Sequence, residues 1–521
     1  MKYQNLFFSF LILIISFDII FSSSVNFGKK EPIEVEDYCL WRPYHKRAEP
    51  FYFLPVLRAK LKNVGDKFSF PSRCFAKNIV TFKEISKGKI TFTLDNFNKT
   101  DTWCSELFIF HTSDHNFLQF VIFEGTHDIV MKQITADDKD EIKINGLKLY
   151  SFCSGLGTTI KSLFTTIKSY YGGLGYDPKA KNPRYRPNIP KSMERANLRM
   201  LELFNHYTPE RRKNNTIVQI DKNTIKSGDI IAILRLDGID PMIMLGAGGR
   251  VGHCAVFTWM DGELYVVESQ DGWYWPRRGV QKNKWEDWIQ WAYNADFNVV
   301  ILPLKEEYRN KFNVDKANEW FLNEVEGLNY GYHNFIFSWI DTPDRNMPFI
   351  GKNELVEFVF SVISKFSPSI TNTMLGEGLN IRLKTEGLTY QQAIAEAARR
   401  GKSFEELIAE PELEEYTYSD GKNYVCGAFV AAFLEHGGMF DGITFSPNEF
   451  GPRDLYNLDI FDKNFTRPQA CIDDNPDLPY CQVMGKFILE LEKEYSTIKP
   501  YDHMFYYCPS VGPDFIRDDG C

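Results

Sequence analysis

Apolar and polar residues alternate through much of the first third of the chain, and the spacing becomes helical further on. Lys67-Phe68-Ser69-Phe70, Ile90-Thr91-Phe92-Thr93-Leu94, Leu107-Phe108-Ile109-Phe110 and the run from Phe117 to Phe123 are short and rich in aromatic and β-branched residues. Successive side chains of a strand point to opposite faces, so these runs predict half-buried strands and, together, a small antiparallel sandwich over residues 36–153. Glycine, proline and basic residues break the pattern between Ser154 and Asn188. Residues 154–215 are therefore expected to be a linker with one helix, from Lys191 to about His206.

A second set of strands is predicted at Ser227–Leu234, Gly252–Met260, Glu263–Glu268 and Phe297–Leu304. Asp261-Gly262 is a tight-turn dipeptide between two of them. If it pairs Met260 with Glu263, Glu268 faces Ala255 and lies diagonal to His253 on the same face. Helices are expected near Lys316–Glu326, Glu354–Lys365, Tyr390–Arg400 and Ser403–Ala409, followed by the small-residue helix Cys426-Gly427-Ala428-Phe429. The turn Tyr418–Asn423 is expected to start and cap that last helix. The resulting division has a leader at 1–24, a β-rich domain at 36–153, a linker at 154–215, a catalytic-type domain at 216–457 with a helical insertion at 341–418, and a tail at 458–521. The class is α+β.

The ten cysteines narrow the chemistry. Cys39, Cys74, Cys104 and Cys153 lie early and Cys471, Cys481, Cys508 and Cys521 lie late, so each end holds an even set able to form two disulfides. Cys254 and Cys426 stand between. Strand alternation turns Cys254 away from the face of His253 and makes it a buried apolar residue, leaving Cys426 as the thiol expected to stay free; a Cys254–Cys426 bridge is the competing reading. A cysteine opening a helix has a lowered thiol pKa, and a histidine can accept its proton.

The leader begins with Lys2, runs apolar from Leu6 to Phe21 and ends in serines, as a cleavable secretory signal does. Paired cysteines and the sequons at Asn98, Asn214 and Asn464 agree with a secreted or lysosomal, endomembrane-lumenal glycoprotein without a stable membrane span. A net charge of −9 over 521 residues argues against nucleic acid as a partner. No cofactor or metal is expected: His111, His115 and His127 match no ligand spacing and are read as surface histidines. His333 is a weaker candidate for the chemistry, and His436 is read as an ordinary helix-end residue. Trp285, Trp288 and Trp291 are read as a core-facing helical stripe.

Taken in order, Gly228-Asp229, Gly252-His253, Glu268, Gly331-Tyr332-His333-Asn334 and Cys426 resemble the permuted papain-like NlpC/P60 superfamily. The His-before-Cys order is similar to its YiiX/YaeF-like and lecithin:retinol acyltransferase-like branches. The whole chain also resembles a set of secreted plant and protist proteins that carry Tyr-Gly-Tyr-His-Asn. The superfamily resemblance implies a permuted papain-like domain in which Cys426 is the nucleophile, His253 the base and then acid, and Glu268 the orienting group. Trp273, Trp275, Tyr332 and Tyr424 would border the substrate, a peptide, acyl or glycan-containing molecule. The implied activity is cleavage of an amide or ester through a thioester. An inactive papain-like binding or cell-surface protein and a thiol acyltransferase are the alternatives.

Overall fold

The computed structural model describes residues 53–502 apart from 87, 153, 174–187, 206, 248, 272–278, 341–351, 409, 411, 445 and 492–494. The expected leader, the cysteines at 39, 153, 508 and 521, and the tryptophans at 273 and 275 lie outside the described residues. The chain forms two compact units. The first runs to Thr166 and adds Asn353–Asn372 and Gly387–Leu407; the second holds Ile167–Lys352, Thr373–Glu386 and the residues from Ile408 onward.

Eight strands build the first unit: β1 (Val56–Leu61), β2 (Lys67–Phe70), β3 (Phe75–Ser86), β4 (Gly88–Lys99), β5 (Glu106–His111), β6 (Asn116–Val121), β7 (Gly125–Ile134) and β8 (Leu147–Ser151). They form two antiparallel four-stranded sheets, ordered β1-β8-β5-β6 and β2-β3-β4-β7. The inward residues of both sheets make one core, where Phe92 of β4 stacks on Phe110 of β5 with ring centres 5.2 Å apart. Cys74 and Cys104 pair across it. The part of the chain expected to be linker contains a helix, Leu156–Gly173. Its apolar residues at 156, 160, 163, 164 and 167 recur at helical spacing, and the glycines that suggested a break lie at its two ends.

His111 is not at the surface, as its position at a strand end suggested; it is fully buried. Lys148 of β8 makes a buried ion pair with Glu357, which belongs to the helix Lys352–Phe366, and the hydroxyl of Tyr390 donates to the Glu357 carbonyl at 3.2 Å. The apolar face of that helix and its ion pair are thus part of this unit's own interior.

The second unit is built on one antiparallel sheet of β9 (Ile230–Leu234), β10 (His253–Met260), β11 (Glu263–Gln270), β12 (Gly279–Lys284), β13 (Asn298–Leu302) and β16 (Cys481–Met484), in the order β12-β11-β10-β9-β13-β16. Between β13 and β16 the chain also forms the short parallel pair β14 (Asn329–Tyr330) and β15 (Asn423–Tyr424). The last strand of the large sheet comes from the segment expected to be a separate tail, and Cys471–Cys481 anchors its start. The β10–β11 register pairs Met260 with Glu263 and Val256 with Val267, as the hairpin dipeptide required, and Asp261 and Gly262 both take positive φ. Gly228-Asp229 is structural. Asp229 Oδ1 accepts from the Leu304 amide at 3.0 Å and from Arg309 Nη2 at 2.5 Å, and its Oδ2 accepts from the Lys226 amide at 2.9 Å.

Both faces of the sheet are covered, so its strands read as nearly continuous apolar runs. Cys254, Val256 and Val267 face the cluster that contains the helix Cys426–His436, while Ala255, Phe257, Leu264 and Val266 face the cluster that contains Trp285 and Trp288. The Cys426 helix is buried from Cys426 to Leu434, as its all-round apolar sequence requires. Gly427 permits this packing, because a Cβ there would stand 2.8 Å from the Gly451 carbonyl carbon.

Candidate active site

His253 opens β10 and Glu268 lies near the end of β11, on the face that carries Trp288. His253 Nε2 bonds Glu268 Oε2 at 3.0 Å, and Trp288 Nε1 donates to Glu268 Oε1 at 2.8 Å. Both carboxylate oxygens are therefore engaged in a fully buried position. Trp288 belongs to the helix Trp285–Asn294; its ring stacks on Trp285 at 5.9 Å and meets Phe297 edge-on, so Trp285 and Trp288 are core, with Trp288 also orienting the carboxylate, while Trp291 is only half-buried and outside that cluster. The sequence pattern showed the stripe but not this bond, which arises only when the helix packs on the sheet.

Cys426 approaches from the opposite face. Val425 is the N-cap and makes no side-chain cap hydrogen bond. The turn before it caps nothing: the Ser419 hydroxyl donates to Glu377 at 2.8 Å and Asp420 accepts from Asn423 at 2.9 Å. The first N–H groups of the helix are thus left without a side-chain acceptor, which favours negative charge at its first residue. Cys426 Sγ lies 3.9 Å from the Gly252 carbonyl oxygen, at the point where β10 begins. At that strand end it can interact with His253, although the two residues lie on opposite faces. Gly252 is required there, because the Asp240 side chain stands 2.5–2.6 Å from where a Cβ would sit.

Cys254 and Cys426 are both free and buried. Alternation placed Cys254 on the packed side of β10, as expected; the element packed there is the Cys426 helix itself. The Cys426 thiol is held well below the ordinary thiol range, first by a hydrogen bond from Cys254 and then, against the cost of burial, by the hydrogen bond and charge of His253. Burial disfavours the charged His253 imidazole, but hydrogen bonds with Cys426 and Glu268 and their negative charges outweigh it and raise it well above the usual histidine range. Cys254 is pushed up, by burial first and then by its bond to Cys426, and so remains a protonated donor. Both shifts favour a buried thiolate–imidazolium pair. With Nε2 held by Glu268, Nδ1 is the ring nitrogen left to exchange a proton with sulfur.

The remaining candidates have partners of their own. Tyr424 is buried and its hydroxyl donates to Glu414 at 2.7 Å; Tyr332 is half-buried against Tyr330, ring centres 5.0 Å apart. His333 Nδ1 donates to the Thr373 carbonyl at 2.7 Å, and its ring stacks on Tyr418. His436 stacks on Trp320 and bonds Glu414 at 2.9 Å. Among the described residues, Asp114, His115 and Asp138 bring ligand-type atoms within 4.8 Å of one another, but Asp138 Oδ2 already accepts from the Thr135 amide at 2.7 Å and hydroxyl at 2.6 Å as a helix-capping group. No described helix is long and apolar enough to cross a membrane. No protein-family profile, curated protein or solved structure matches the chain.

Proposed function

We propose that the second unit is a permuted papain-like domain and that the protein is a secreted or lysosomal cysteine hydrolase of amides or esters. The observation that carries this reading is the chain of contacts from an uncapped helix start through Cys426 and His253 to Glu268 and Trp288, with a free thiol at one end and a fully bonded carboxylate at the other. The two disulfides and the exposed asparagines of all three sequons support passage through an oxidising, glycosylating compartment.

In the first half-reaction Cys426 thiolate attacks the acyl carbon. A C–S bond forms and the carbonyl π pair moves to oxygen. Collapse expels the amine or alcohol as His253 imidazolium gives it a proton, leaving a thioester. In the second, water attacks while neutral His253 takes its proton, and collapse returns the thiolate and releases a carboxylic acid. Glu268 keeps the imidazole oriented and compensates its charge throughout.

A second reading, a papain-like scaffold kept for binding, draws on the burial of the pair: Cys426 is 2% and His253 3% exposed. Acid quenching during turnover of p-nitrophenyl esters and peptide anilides, followed by mass spectrometry, separates the two. An acyl adduct on the Cys426 peptide is expected. No adduct on that peptide with either probe class would favour the binding reading.

A further inference from the structure

Asn334 is fully buried, and neither its Oδ1 nor its Nδ2 has a hydrogen-bond partner. Buried amides are almost always satisfied, so an unpaired one calls for an explanation. Its position is set by a close approach of two backbones. β14 runs parallel to β15, and the Gly331 amide donates to the Tyr424 carbonyl at 2.9 Å. A Cβ on Gly331 would collide with Asn334 Oδ1, and it would lie 2.6 Å from the Val425 amide nitrogen and 2.7 Å from the Tyr424 carbonyl carbon. Glycine at 331 therefore lets the Asn334 amide lie against the residue that immediately precedes Cys426. Either orientation of the amide leaves an NH2 group without an acceptor.

Two independent features thus meet at the start of the eleven-residue Cys426 helix: N–H groups that no side chain caps, and a buried side-chain amide with no partner. Both are donors, and both stand close to the Tyr424–Val425 backbone that leads directly into Cys426, whose sulfur would attack an acyl carbon. We propose that Asn334 Nδ2 is the second donor of an oxyanion-binding site whose first donor is the Cys426 backbone N–H. This rests on the hydrolase reading above. In the free protein the amide stays unpaired because its acceptor forms only when the carbonyl π pair moves to oxygen; preorganised donors of this kind act on the transition state and need no rearrangement. The role sets Asn334 apart from His333 beside it, which is committed to Thr373.

The test uses the full-length protein with Asn334→Leu, of similar shape but without donors, and Asn334→Ala as a second variant should the first fail to fold. Iodoacetamide alkylation of Cys426 creates no oxyanion and is expected within about twofold of the parent, while p-nitrophenyl ester hydrolysis falls about 10²–10³-fold. Thermal stability of Asn334→Leu is expected to equal or exceed that of the parent, since no bond is lost. Hydrolysis within threefold of the parent, or a loss of stability in which alkylation and hydrolysis fall together, would overturn the assignment. A parent that alkylates readily yet hydrolyses no ester would sink the hydrolase reading itself, and the oxyanion assignment with it.

Discussion

His111 in the first unit and His253 in the second are both sealed from water and both face a glutamate, yet they are driven in opposite directions. Burial pushes His111 down to about 4; the opposing pull of Glu357, whose Oε1 stands 3.8 Å from His111 Nε2 and whose carboxylate is paired with Lys148, does not offset it. Burial opposes His253 too, but Glu268 bonds it at 3.0 Å and the thiol supplies a second negative partner. The lesson is that desolvation sets only the cost. Whether a buried imidazole carries charge depends on which groups its carboxylate already serves: a lysine in one unit, an indole N–H in the other. The first arrangement holds a sandwich to a helix, and the second, on the proposed reading, holds a proton ready for transfer.

The largest expected effect breaks the second arrangement. Glu268→Gln preserves shape, but its amide NH2 would donate to His253 Nε2 and leave the proton on Nδ1, the nitrogen that must accept from sulfur. Ester turnover is expected to fall on the order of 10²–10⁴-fold with the fold intact by circular dichroism. In the first unit, Lys148→Met leaves Glu357 buried without its cation and is expected to cost about 3–5 kcal/mol in urea unfolding, most of it restored by adding Glu357→Leu. An unfolding midpoint unmoved by Lys148→Met would show that this pair is not the element that distinguishes the two histidines.

A pH effect of similar origin belongs to Glu141, which accepts from the Ser113 amide and hydroxyl at 2.7 and 2.6 Å. Burial, followed by the nearby Glu357, raises it from 4.5 to about 7. The folded state therefore binds more protons than the unfolded one between those values. This contribution is fully present below about pH 4.5 and is lost as pH rises through 7, a change of about 3 kcal/mol. Hydrogen exchange of the β5 and β8 amides is expected to quicken over that range in the parent and to be flatter in Glu141→Gln. The smallest effect is expected from Trp288→Phe. It removes one charge-assisted hydrogen bond from Glu268 while keeping an aromatic ring, and about tenfold slower turnover is expected, near the lower end of what such a bond contributes.

The hairpin between β10 and β11 was legible because Asp261-Gly262 fixes its register, and that register alone places Glu268 diagonal to His253. The start of the Cys426 helix was legible from a small-residue apolar run after a turn. β3 and β7 were not. Outward-facing Lys77, Lys83 and Glu84 dilute the apolar pattern of β3, and a bulge between Phe82 and Glu84 shifts its period by one residue. In β7, Asp128, Lys132 and Gln133 dilute the pattern in the same way. The bond from Trp288 to Glu268 and the contact of Cys254 with Cys426 were illegible for a different reason. Alternation tells which face a residue takes, but the element packed on that face is decided by tertiary structure. Asn334 carried no signal beyond its place in Gly331-Tyr332-His333-Asn334, since an unpaired buried amide is visible only once its surroundings are known.

The most direct test of the thiolate–imidazolium pair is alkylation of the unreduced protein from pH 5 to 8, with labelled sites mapped by mass spectrometry, in the parent and in His253→Ala. The lowered Cys426 thiol should keep it reacting well below the roughly 8.5 of an ordinary thiol, while Cys254, pushed upward, stays unlabelled. His253→Ala should move the Cys426 profile up towards the ordinary range. A Cys426 that labels only as an ordinary thiol, or a parent and variant with the same profile, would contradict the pair and the chemistry built on it.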